Sequence, residues 1–367
     1  MTGDRQRAFK KNKDNYYFSM TKVSVIMSVY KEKDEWLRLS IESILNQTFH
    51  DFEFLIVNDC PEREDNKKIL NEYVLKDSRV HIIENNENIG LTKSLNRALE
   101  KAQGEYIARM DADDWSKPMR LEKQVRYLDA HLDCVMVGCF AIMTNEWGRI
   151  IDKAQTSDDY KYLQTMIPCL QPIYHPSMMY RRIIGGAPVL YNEEMSASQD
   201  YELCSRLISY PMSNIPEFLL YYRCSKNQMT RVYKEKYIIL DAPIRKKMLR
   251  KYYDGVTVQD ASAFIDMYYK QRTTREGIDN VDSFIRHFYN NNLSNERIYL
   301  DTIMTFILIR YYQFLSNNGS RMYAFAKFVK NNCALGNRYY FSMLSYIAKK
   351  MSTRIRYKLF KEYVIYR

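Results

Sequence analysis

Three carboxylates lie within four residues at Asp111-Ala112-Asp113-Asp114, directly after an apolar stretch that ends at Met110. Close like charges raise one another's pKa unless a cation neutralises them. Carboxylate oxygens are typical ligands of Mg²⁺ and Mn²⁺, which complete their coordination with water and substrate phosphates. Asp-rich turns are also common on protein surfaces. The four residues alone therefore leave open both a metal site and a solvated loop.

The elements that position these carboxylates follow a regular alternation. Apolar stretches typical of strands alternate with amphipathic patterns typical of helices, which predicts a parallel α/β sheet. The predicted strands are 23–29, 52–59, 79–84, 105–110 and 134–140, and the predicted helices are 34–46, 65–75, 91–102, 118–131 and 201–208. Asp34 is predicted to be a helix N-cap, and Gly104 is predicted at a helix C′ position.

Polar clusters follow three of the predicted strands. They comprise Tyr30–Glu32, Asn58–Asp59 and Asp111–Asp114. Ligands of open α/β sheets bind at the carboxyl ends of the strands. The three clusters are therefore expected to converge on one site.

The positive charge of the chain is concentrated near its end. The net charge is +11, and residues 232–367 carry 24 Lys and Arg against 11 Asp and Glu. We predict a flexible basic segment at 1–20, an α/β domain at 21–231 and a basic, Tyr-rich, mostly helical region at 232–367. The basic region indicates an anionic partner, for which a membrane surface and nucleic acid are candidates. A helical bundle with a core and a solvated basic exterior is the alternative.

Composition and targeting patterns narrow the class of protein. Hydrophobic residues make up 46% and charged residues 27% of the chain, which argues against disorder. The seven cysteines include no CxxC pair, so neither a disulfide framework nor a zinc site is predicted. The N-terminus lacks an apolar signal region, and Asp301 and Arg310 interrupt the most apolar stretch. We expect a cytoplasmic protein, with peripheral contact to the inner face of the membrane as an open alternative.

Five sequence segments, in this order, resemble the family 2 glycosyltransferases, which are inverting enzymes of the GT-A fold. The resemblance covers about residues 23–231. Its segments are VSVIMSVYKE, SIESILNQTFHDFEFLIVND, NENIGLTKSLNRALEKAQGEYIARMDADDWSKPMRLEKQV, HPSMMY and SQDYELCSRL. It implies an α/β fold with a Rossmann-like sheet that binds a nucleotide diphospho-sugar and has helices on both faces, followed by the C-terminal helical region.

The resemblance implies a set of donor-binding residues. The loop after the first strand would meet the base and ribose, Asp59 would accept a hydrogen bond from the uracil ring, and a later loop would lie near the base and phosphates. The usual Asp-Asp-Gly-Ser is Asn58-Asp59-Cys60-Pro61 here, which alters the expected base contacts. The residues of the two loops are Ser28, Tyr30, Glu32, Asn88, Gly90 and Lys93. Gly90 could instead serve only a turn, and Asn96 is interpreted as a helix residue that supports the later loop.

The resemblance also assigns roles around the Asp-rich loop. Asp113 would bind the Mn²⁺ or Mg²⁺ that bridges the phosphates, and Asp111 would contact the ribose or a metal-bound water. Ala112 belongs to the same donor-binding loop. Asp114 would support the loop or face the acceptor. Arg109 and Arg120 flank the loop as ion-pair scaffolds or as ligand contacts.

Later positions supply the remaining chemistry. Asp200 matches the catalytic base, although Gln199 replaces the usual Glu; a helix N-cap is the alternative reading of Asp200. His175 would line a sugar pocket or pack within a loop. Tyr222, Arg223 and Arg231 match a segment that folds over the diphosphate, and either arginine would bring positive charge to the leaving group.

The expected function is metal-dependent, inverting transfer of a sugar from a nucleotide-sugar donor. We expect the nucleotide of this donor to be UDP. The acceptor would be a hydroxyl of a glycan or of a lipid-linked acceptor in surface-polysaccharide synthesis. A catalytically inactive homologue that acts as a partner subunit is an alternative. A basic nucleic-acid-binding protein is disfavoured because the sequence has no nucleic-acid-binding signature.

Overall fold

A computed structural model describes residues 21–225, 234–269 and 272–318. The predicted basic segment 1–20, Arg231 and the basic residues 319–367 lie outside the described residues.

The first half of the fold is a parallel sheet with strand order β3-β2-β1-β4. Its strands are β1 (Val23–Val29), β2 (Phe52–Asn58), β3 (Val80–Glu84) and β4 (Tyr106–Arg109), and its helices are α1 (Asp34–Leu45), α2 (Glu64–Lys76) and α3 (Leu91–Lys101). All seven residues of β1 are buried, as its unbroken apolar sequence predicts for a strand covered on both faces. The predicted strand–helix alternation is confirmed here.

The second half extends the sheet in the order β4-β8-β6-β11-β5, with β7 paired to β6. Its elements are β5 (Trp115–Ser116), α4 (Arg120–Ala130), β6 (Met136–Thr144), β7 (Ile150–Ala154), α5 (Tyr160–Met166), a short 3₁₀ helix (His175–Ser177), β8 (Met179–Arg181), β9 (Ile183–Ile184), β10 (Ala187–Pro188), α6 (Gln199–Leu207) and β11 (Met212–Arg223). Strand β8 is antiparallel to both β4 and β6. The sheet is therefore mixed, whereas the sequence pattern predicted a parallel one.

Two predicted helix boundaries are wrong in detail. Asp34 is the first residue of α1 and Lys33 occupies the N-cap; the Asp34 carboxylate pairs with Arg63 at 2.6 Å instead. Gly104 is not a helix C′ residue with positive φ, because α3 ends at Lys101 and Ala102 caps it in an extended conformation. A side chain at Gly104 would collide with the backbone of Ser24, so close packing against β1 is what requires glycine there.

The C-terminal helices share an apolar core with one face of the sheet. They are α7 (Lys234–Tyr252), α8 (Val258–Tyr268), α9 (Arg275–Asn292) and α10 (Leu300–Asn317). One continuous cluster joins Ile26, Ile107 and Leu203 to Phe264 and Phe306. A second cluster on the opposite face packs α1, α2 and α4 against the alternate residues of the same strands.

Helix α10 is a core helix of this assembly. Tyr311, Tyr312, Phe314 and Leu315 are all buried, so the aromatic residues of RYYQFLSNN pack inside the protein. This arrangement agrees with the helical-bundle alternative for residues 310–318. None of the described helices combines the length and apolar character needed to span a bilayer.

A stack of alternating aromatic and guanidinium groups joins α6 to the C-terminal helices. The Arg245 guanidinium on α7 lies 4.5 Å from the ring centre of Tyr201 on α6 and 4.3 Å from that of Tyr268 on α8. On α10, Arg310 lies 5.0 Å from Tyr268 and 5.2 Å from Phe306. We call this set of five residues the aromatic–arginine stack. It fixes the helix that carries Asp200 to the C-terminal helices.

Candidate active site

The aspartate cluster is formed by Asp111, Asp113 and Asp114, just beyond the carboxyl end of β4. Carboxylate oxygens of the three residues lie within 4.8 Å of one another. The loop is held from two sides, since the Ser40 hydroxyl on α1 donates to the Asp111 carbonyl at 2.7 Å and the Arg109 guanidinium pairs with the Asp111 carboxylate at 2.5 Å. Arg109 itself is fully buried. The three carboxylates that are close in sequence are therefore also close in space.

Burial and mutual repulsion disfavour ionisation within the aspartate cluster. Burial, and then the neighbouring charges of Asp111 and Glu32, raise the pKa of Asp113 to about 7. Burial, and then Asp113 and Asp111, raise the pKa of Asp114 well above its usual range. One carboxylate oxygen of Asp114, Oδ2, is buried and accepts no hydrogen bond from the residues described. A divalent cation would relieve this repulsion, and the all-oxygen donor set fits Mn²⁺ or Mg²⁺.

Arg223, the last residue of β11, connects the aspartate cluster to β11 through hydrogen bonds. Its backbone N–H donates to Asp114 Oδ1 at 2.7 Å, and its Nε donates to the Asp113 carbonyl at 2.8 Å. Its Nη1 donates to the Glu146 carbonyl at 2.9 Å. The predicted proximity of Arg223 to the cluster is observed, and these bonds hold the loop in place.

Two tryptophan rings contact the Arg223 guanidinium. The ring centre of Trp36 lies 4.6 Å from the guanidinium carbon, and the ring centre of Trp115 lies 4.9 Å from it. Trp115 also stacks on Tyr221 at 4.8 Å with the rings 7° from parallel. Neither tryptophan was predicted from the sequence to be a site residue. The position of Trp115 directly after the Asp-rich motif could have indicated its place in the site. Contact with the two indole rings helps to fix the position of the Arg223 guanidinium.

The loop after β1 lies beside the aspartate cluster. The Glu32 carboxylate accepts a hydrogen bond from the Tyr30 backbone N–H at 2.7 Å. Burial raises the pKa of Glu32, and the nearby Asp111 raises it further. Ser28 is buried at the end of β1, and Tyr30 is exposed. The predicted nucleotide loop therefore shares one electrostatic environment with the cluster.

Asp59 organises the next loop along the sheet edge. Its carboxylate is buried and accepts hydrogen bonds from the backbone N–H groups of Ile89 and Gly90 at 2.9 and 3.0 Å. The Asn85 side chain donates to it at 2.7 Å. Gly90 has φ 87°, in the left-handed region, which supports the turn role considered for this glycine. Asn88 also accepts from the Gly90 N–H, at 3.0 Å.

Asn96 contacts a different segment from the one predicted. Its side chain donates to the Tyr191 carbonyl at 2.9 Å and to the Glu193 carboxylate at 3.0 Å. Thr92 donates to the Met195 carbonyl at 2.6 Å. Helix α3 therefore supports the chain that leads into α6, and this role depends on a tertiary contact that the sequence pattern did not indicate.

A cavity of about 470 Å³ lies between the start of α3 and the segment before α6. It brings the predicted donor residues Gly90 and Lys93 together with residues close to Asp200. Its lining residues are Ile89, Gly90, Leu91, Thr92, Lys93, Glu193, Ser196, Ala197 and Lys236. Lys236 comes from α7, so the C-terminal helices contribute to the wall of this cavity.

His175 and Tyr191 form a buried contact. The Nε2 atom of His175 is 2.8 Å from the Tyr191 hydroxyl. Burial, and then the positive charge of Arg109, hold the pKa of His175 well below its usual range, so the ring is neutral. Burial raises the pKa of Tyr191 well above its usual range, and the negative charge of Asp200 adds to this shift. His175 thus contacts Tyr191, and no signal in the sequence indicated Tyr191 as its partner.

Asp200 is the second residue of α6 and is half-buried. Ser198, with a left-handed φ of 58°, holds the N-cap position that was the alternative reading of Asp200. Arg120, the other flanking arginine, is buried and donates to the backbone carbonyls of Arg109 and Pro176, which fits a scaffold role.

Comparison with known proteins identifies the family. Residues 24–184 match the protein family described as "Glycosyl transferase family 2". An uncharacterized glycosyltransferase of Methanocaldococcus jannaschii is 38% identical over 220 residues, which span 58% of this chain and 75% of that protein. The chain is a family 2 glycosyltransferase.

Two further relatives place this glycosyltransferase in context. The O-antigen biosynthesis glycosyltransferase WbnJ of Escherichia coli is 35% identical over 206 residues, spanning 55% of this chain and 79% of that protein. The crystal structure of S. aureus TarS 1-349 in complex with UDP matches with a TM-score of 0.51 and 18% identity, covering 84% of this chain and 88% of that one. The likeness to TarS concerns the fold, which is GT-A as expected.

Proposed function

We propose that this glycosyltransferase is metal-dependent and inverting, and that it transfers a sugar from a UDP-sugar to a hydroxyl of a glycan or lipid-linked acceptor in surface-polysaccharide synthesis. The observation that carries the proposal is the aspartate cluster, whose oxygens lie within 4.8 Å of one another at the carboxyl end of β4. The O-antigen role named for WbnJ and the amylovoran role named for AmsE of Erwinia amylovora support the acceptor class.

Asp113 and Asp111 would hold the metal, with Asp114 in support. A Mn²⁺ or Mg²⁺ ion bound there would stabilise the negative charge that develops on the diphosphate leaving group. Arg223 keeps the backbone of this loop in place, and Asp59 keeps the loop of Asn88 and Gly90 closed beside it. This rigid edge would orient the base, ribose and phosphates of the donor, together with Ser28, Tyr30, Glu32 and Lys93.

Asp200 would act as the general base. In the transfer step, the acceptor oxygen forms a bond to the anomeric carbon while the bond from that carbon to the phosphate oxygen breaks. The acceptor hydroxyl proton moves to the Asp200 carboxylate, and the nucleoside diphosphate leaves with the bonding electron pair. Attack opposite the leaving group inverts the anomeric centre.

The test is release of UDP or another nucleoside diphosphate from a panel of nucleotide sugars, with and without Mn²⁺. We expect metal-dependent release from at least one donor and none after addition of EDTA. Full turnover in EDTA would contradict the metal requirement. Activity with the donors of other nucleosides and none with UDP-sugars would contradict the UDP assignment.

The peripheral membrane partner and the cytoplasmic location also stay proposals. The membrane proposal depends on the basic residues 319–367. It does not depend on α10, whose aromatic residues are buried. Removing residues 319–367 tests the membrane proposal by sedimentation with anionic vesicles, and unchanged sedimentation would contradict it.

A further inference from the structure

The hairpin between β6 and β7 presents large apolar side chains to solvent beside the candidate active site. Trp147 is 80% exposed at its tip, and Ile150 and Ile151 are 61% and 50% exposed on β7. Within the described part of the chain, no ring or cation packs on the Trp147 indole. Large apolar side chains that are exposed beside a candidate site are a feature of binding surfaces.

The hairpin tip is rigid. The Asn145 side-chain oxygen accepts hydrogen bonds from the backbone N–H groups of Trp147 and Arg149, each at 3.0 Å. The backbone of Asn145 and Arg149 closes the turn at 2.9 Å, and Gly148 supplies the left-handed residue with φ 77°. Trp147 is therefore displayed by a preformed turn, which lowers the entropy lost when a ligand stacks on it.

The hairpin is tied directly to the aspartate cluster. The Glu146 carbonyl accepts from Arg223 Nη1 at 2.9 Å, and Nε of the same guanidinium donates to the Asp113 carbonyl at 2.8 Å. A Cβ placed on Gly148 would lie 3.7 Å from the Trp115 ring, so the turn packs over that ring. All three tryptophans of the chain, Trp36, Trp115 and Trp147, thus lie around Arg223 or on the segment it holds.

We propose that Trp147 is a stacking platform for a sugar ring of the acceptor glycan, at the entrance to the transfer site. The proposal rests on the proposed function for the identity of the acceptor. The apolar C–H face of a pyranose packs on an aromatic ring, while its hydroxyls remain in water at an exposed site such as this. The charged residues of the hairpin, Glu146, Arg149, Asp152 and Lys153, balance in sign, which disfavours an anionic membrane as the occupant.

The direct test is ¹⁹F NMR of the full chain labelled with 5-fluorotryptophan. Three signals are expected, and Trp147→Phe assigns one of them. A panel of p-nitrophenyl and methyl glycosides and short oligosaccharides is titrated as the probe. We expect the Trp147 signal to shift with at least one glycoside, whereas UDP with Mg²⁺ shifts the Trp36 or Trp115 signal.

Two outcomes would overturn the platform. One is a Trp147 signal that no glycoside moves. The other is a signal that vesicles of phosphatidylcholine and phosphatidylglycerol move while glycosides do not, which would make the hairpin a lipid contact. These ¹⁹F measurements need no turnover. Failure of the proposed function would instead show as no ¹⁹F response to UDP with Mg²⁺ and no sugar transfer.

A kinetic test follows once an acceptor glycoside is found. Trp147→Ala should raise the KM for that acceptor about tenfold, the value expected for one lost aromatic stacking contact. Trp147→Phe should recover most of the loss because it retains an aromatic face. Leu132→Ser, at an exposed apolar position before the start of β6, is the control. An equal rise in KM for Leu132→Ser would mean that the effect is not specific to Trp147 and would overturn the stacking role.

Discussion

At the scale of single residues, the site is defined by carboxylates that repel one another and are held close together by neighbouring groups. Asp111 is paired with the buried Arg109, and Asp114 is bound by the backbone of Arg223. Asp113, between them in sequence, has its carbonyl fixed and its carboxylate pKa raised to about 7. This electrostatic strain is typical of a functional site and is relieved by a cation.

Replacing Asp113 should abolish sugar transfer. We expect Asp113→Asn to lower kcat by at least about a hundredfold, because an amide keeps the shape but loses the charge that binds a metal. The measurement is steady-state release of the nucleoside diphosphate. Asp133→Asn, at an exposed position after α4, is the control and should retain activity. Near wild-type turnover in Asp113→Asn would remove Asp113 from the site.

The same substitution should stabilise the metal-free protein in a pH-dependent way. The pKa of Asp113 is raised from 3.8 to about 7, so the folded state binds this proton more tightly than the unfolded state does. The stability contributed by Asp113 is therefore greatest below about pH 4 and is lost as the pH rises through 7.

Thermal unfolding in EDTA checks this sign. At pH 8, the free energy of unfolding of Asp113→Asn should exceed that of the wild type by about 1–2 kcal/mol, after allowance for partial solvent screening. The difference should shrink as the pH falls toward 4. A variant that is less stable than the wild type at pH 8 without metal would show that the cluster is not electrostatically strained.

At the scale of secondary-structure elements, α6 carries the candidate base and the C-terminal helices hold α6. The aromatic–arginine stack begins at Tyr201, the residue after Asp200, and Arg245 also donates to the Pro168 carbonyl at 2.9 Å. Arg245 and Asp241 form a buried pair at 2.9 Å. We therefore propose that the C-terminal helices help to position the candidate base.

Arg245→Lys tests this positioning role. Lysine keeps the charge opposite Asp241 but loses the planar contact with Tyr201 and Tyr268. We expect a stability loss of about 1–2 kcal/mol and a fall in kcat on the order of tenfold, with the KM for the donor little changed. Unfolding curves and steady-state kinetics give both values.

The control for Arg245→Lys comes from the other end of the aromatic–arginine stack. Arg310→Lys removes the contacts with Tyr268 and Phe306, which lie away from α6. It should cost similar stability but leave kcat near the wild-type value. Equal losses of kcat in both variants would mean that the stack acts through stability alone.

The sequence predicted the elements of the first half well and the contacts between elements less well. Strand β1 matches its predicted range, because an unbroken β-branched stretch has few alternatives as a buried strand. The three-residue β8, antiparallel within the sheet, was not predicted, since so short a strand carries no periodicity. The contacts of Arg223 with Trp36 and Trp115 could not be predicted from the sequence because these residues meet only through the tertiary fold. The same holds for the contact of His175 with Tyr191.

At the scale of the whole molecule, the predicted boundary near residue 232 separates two sequence patterns but not two cores. Leu203 on α6 and Phe264 on α8 belong to the same apolar cluster as Ile107 of the sheet. The Tyr268 hydroxyl donates to the Cys169 carbonyl at 2.8 Å, which adds a polar contact across the same interface.

Residues 21–225 expressed alone should therefore be unstable. Removing the C-terminal helices exposes one side of a core that the sheet cannot cover, and we expect aggregation and binding of a hydrophobic dye. Solubility and cooperative thermal unfolding are the measurements. A soluble fragment that unfolds cooperatively would instead support an independent domain at 21–231.

The central claim is that the aspartate cluster holds a divalent cation that binds the diphosphate of the donor. Mn²⁺ titration followed by electron paramagnetic resonance, with and without UDP, measures this directly. We expect one bound Mn²⁺ per chain, tighter binding in the presence of UDP, and loss of this site in Asp113→Asn but not in Asp133→Asn. Absence of stoichiometric Mn²⁺ binding with UDP present, or unchanged binding in Asp113→Asn, would contradict it.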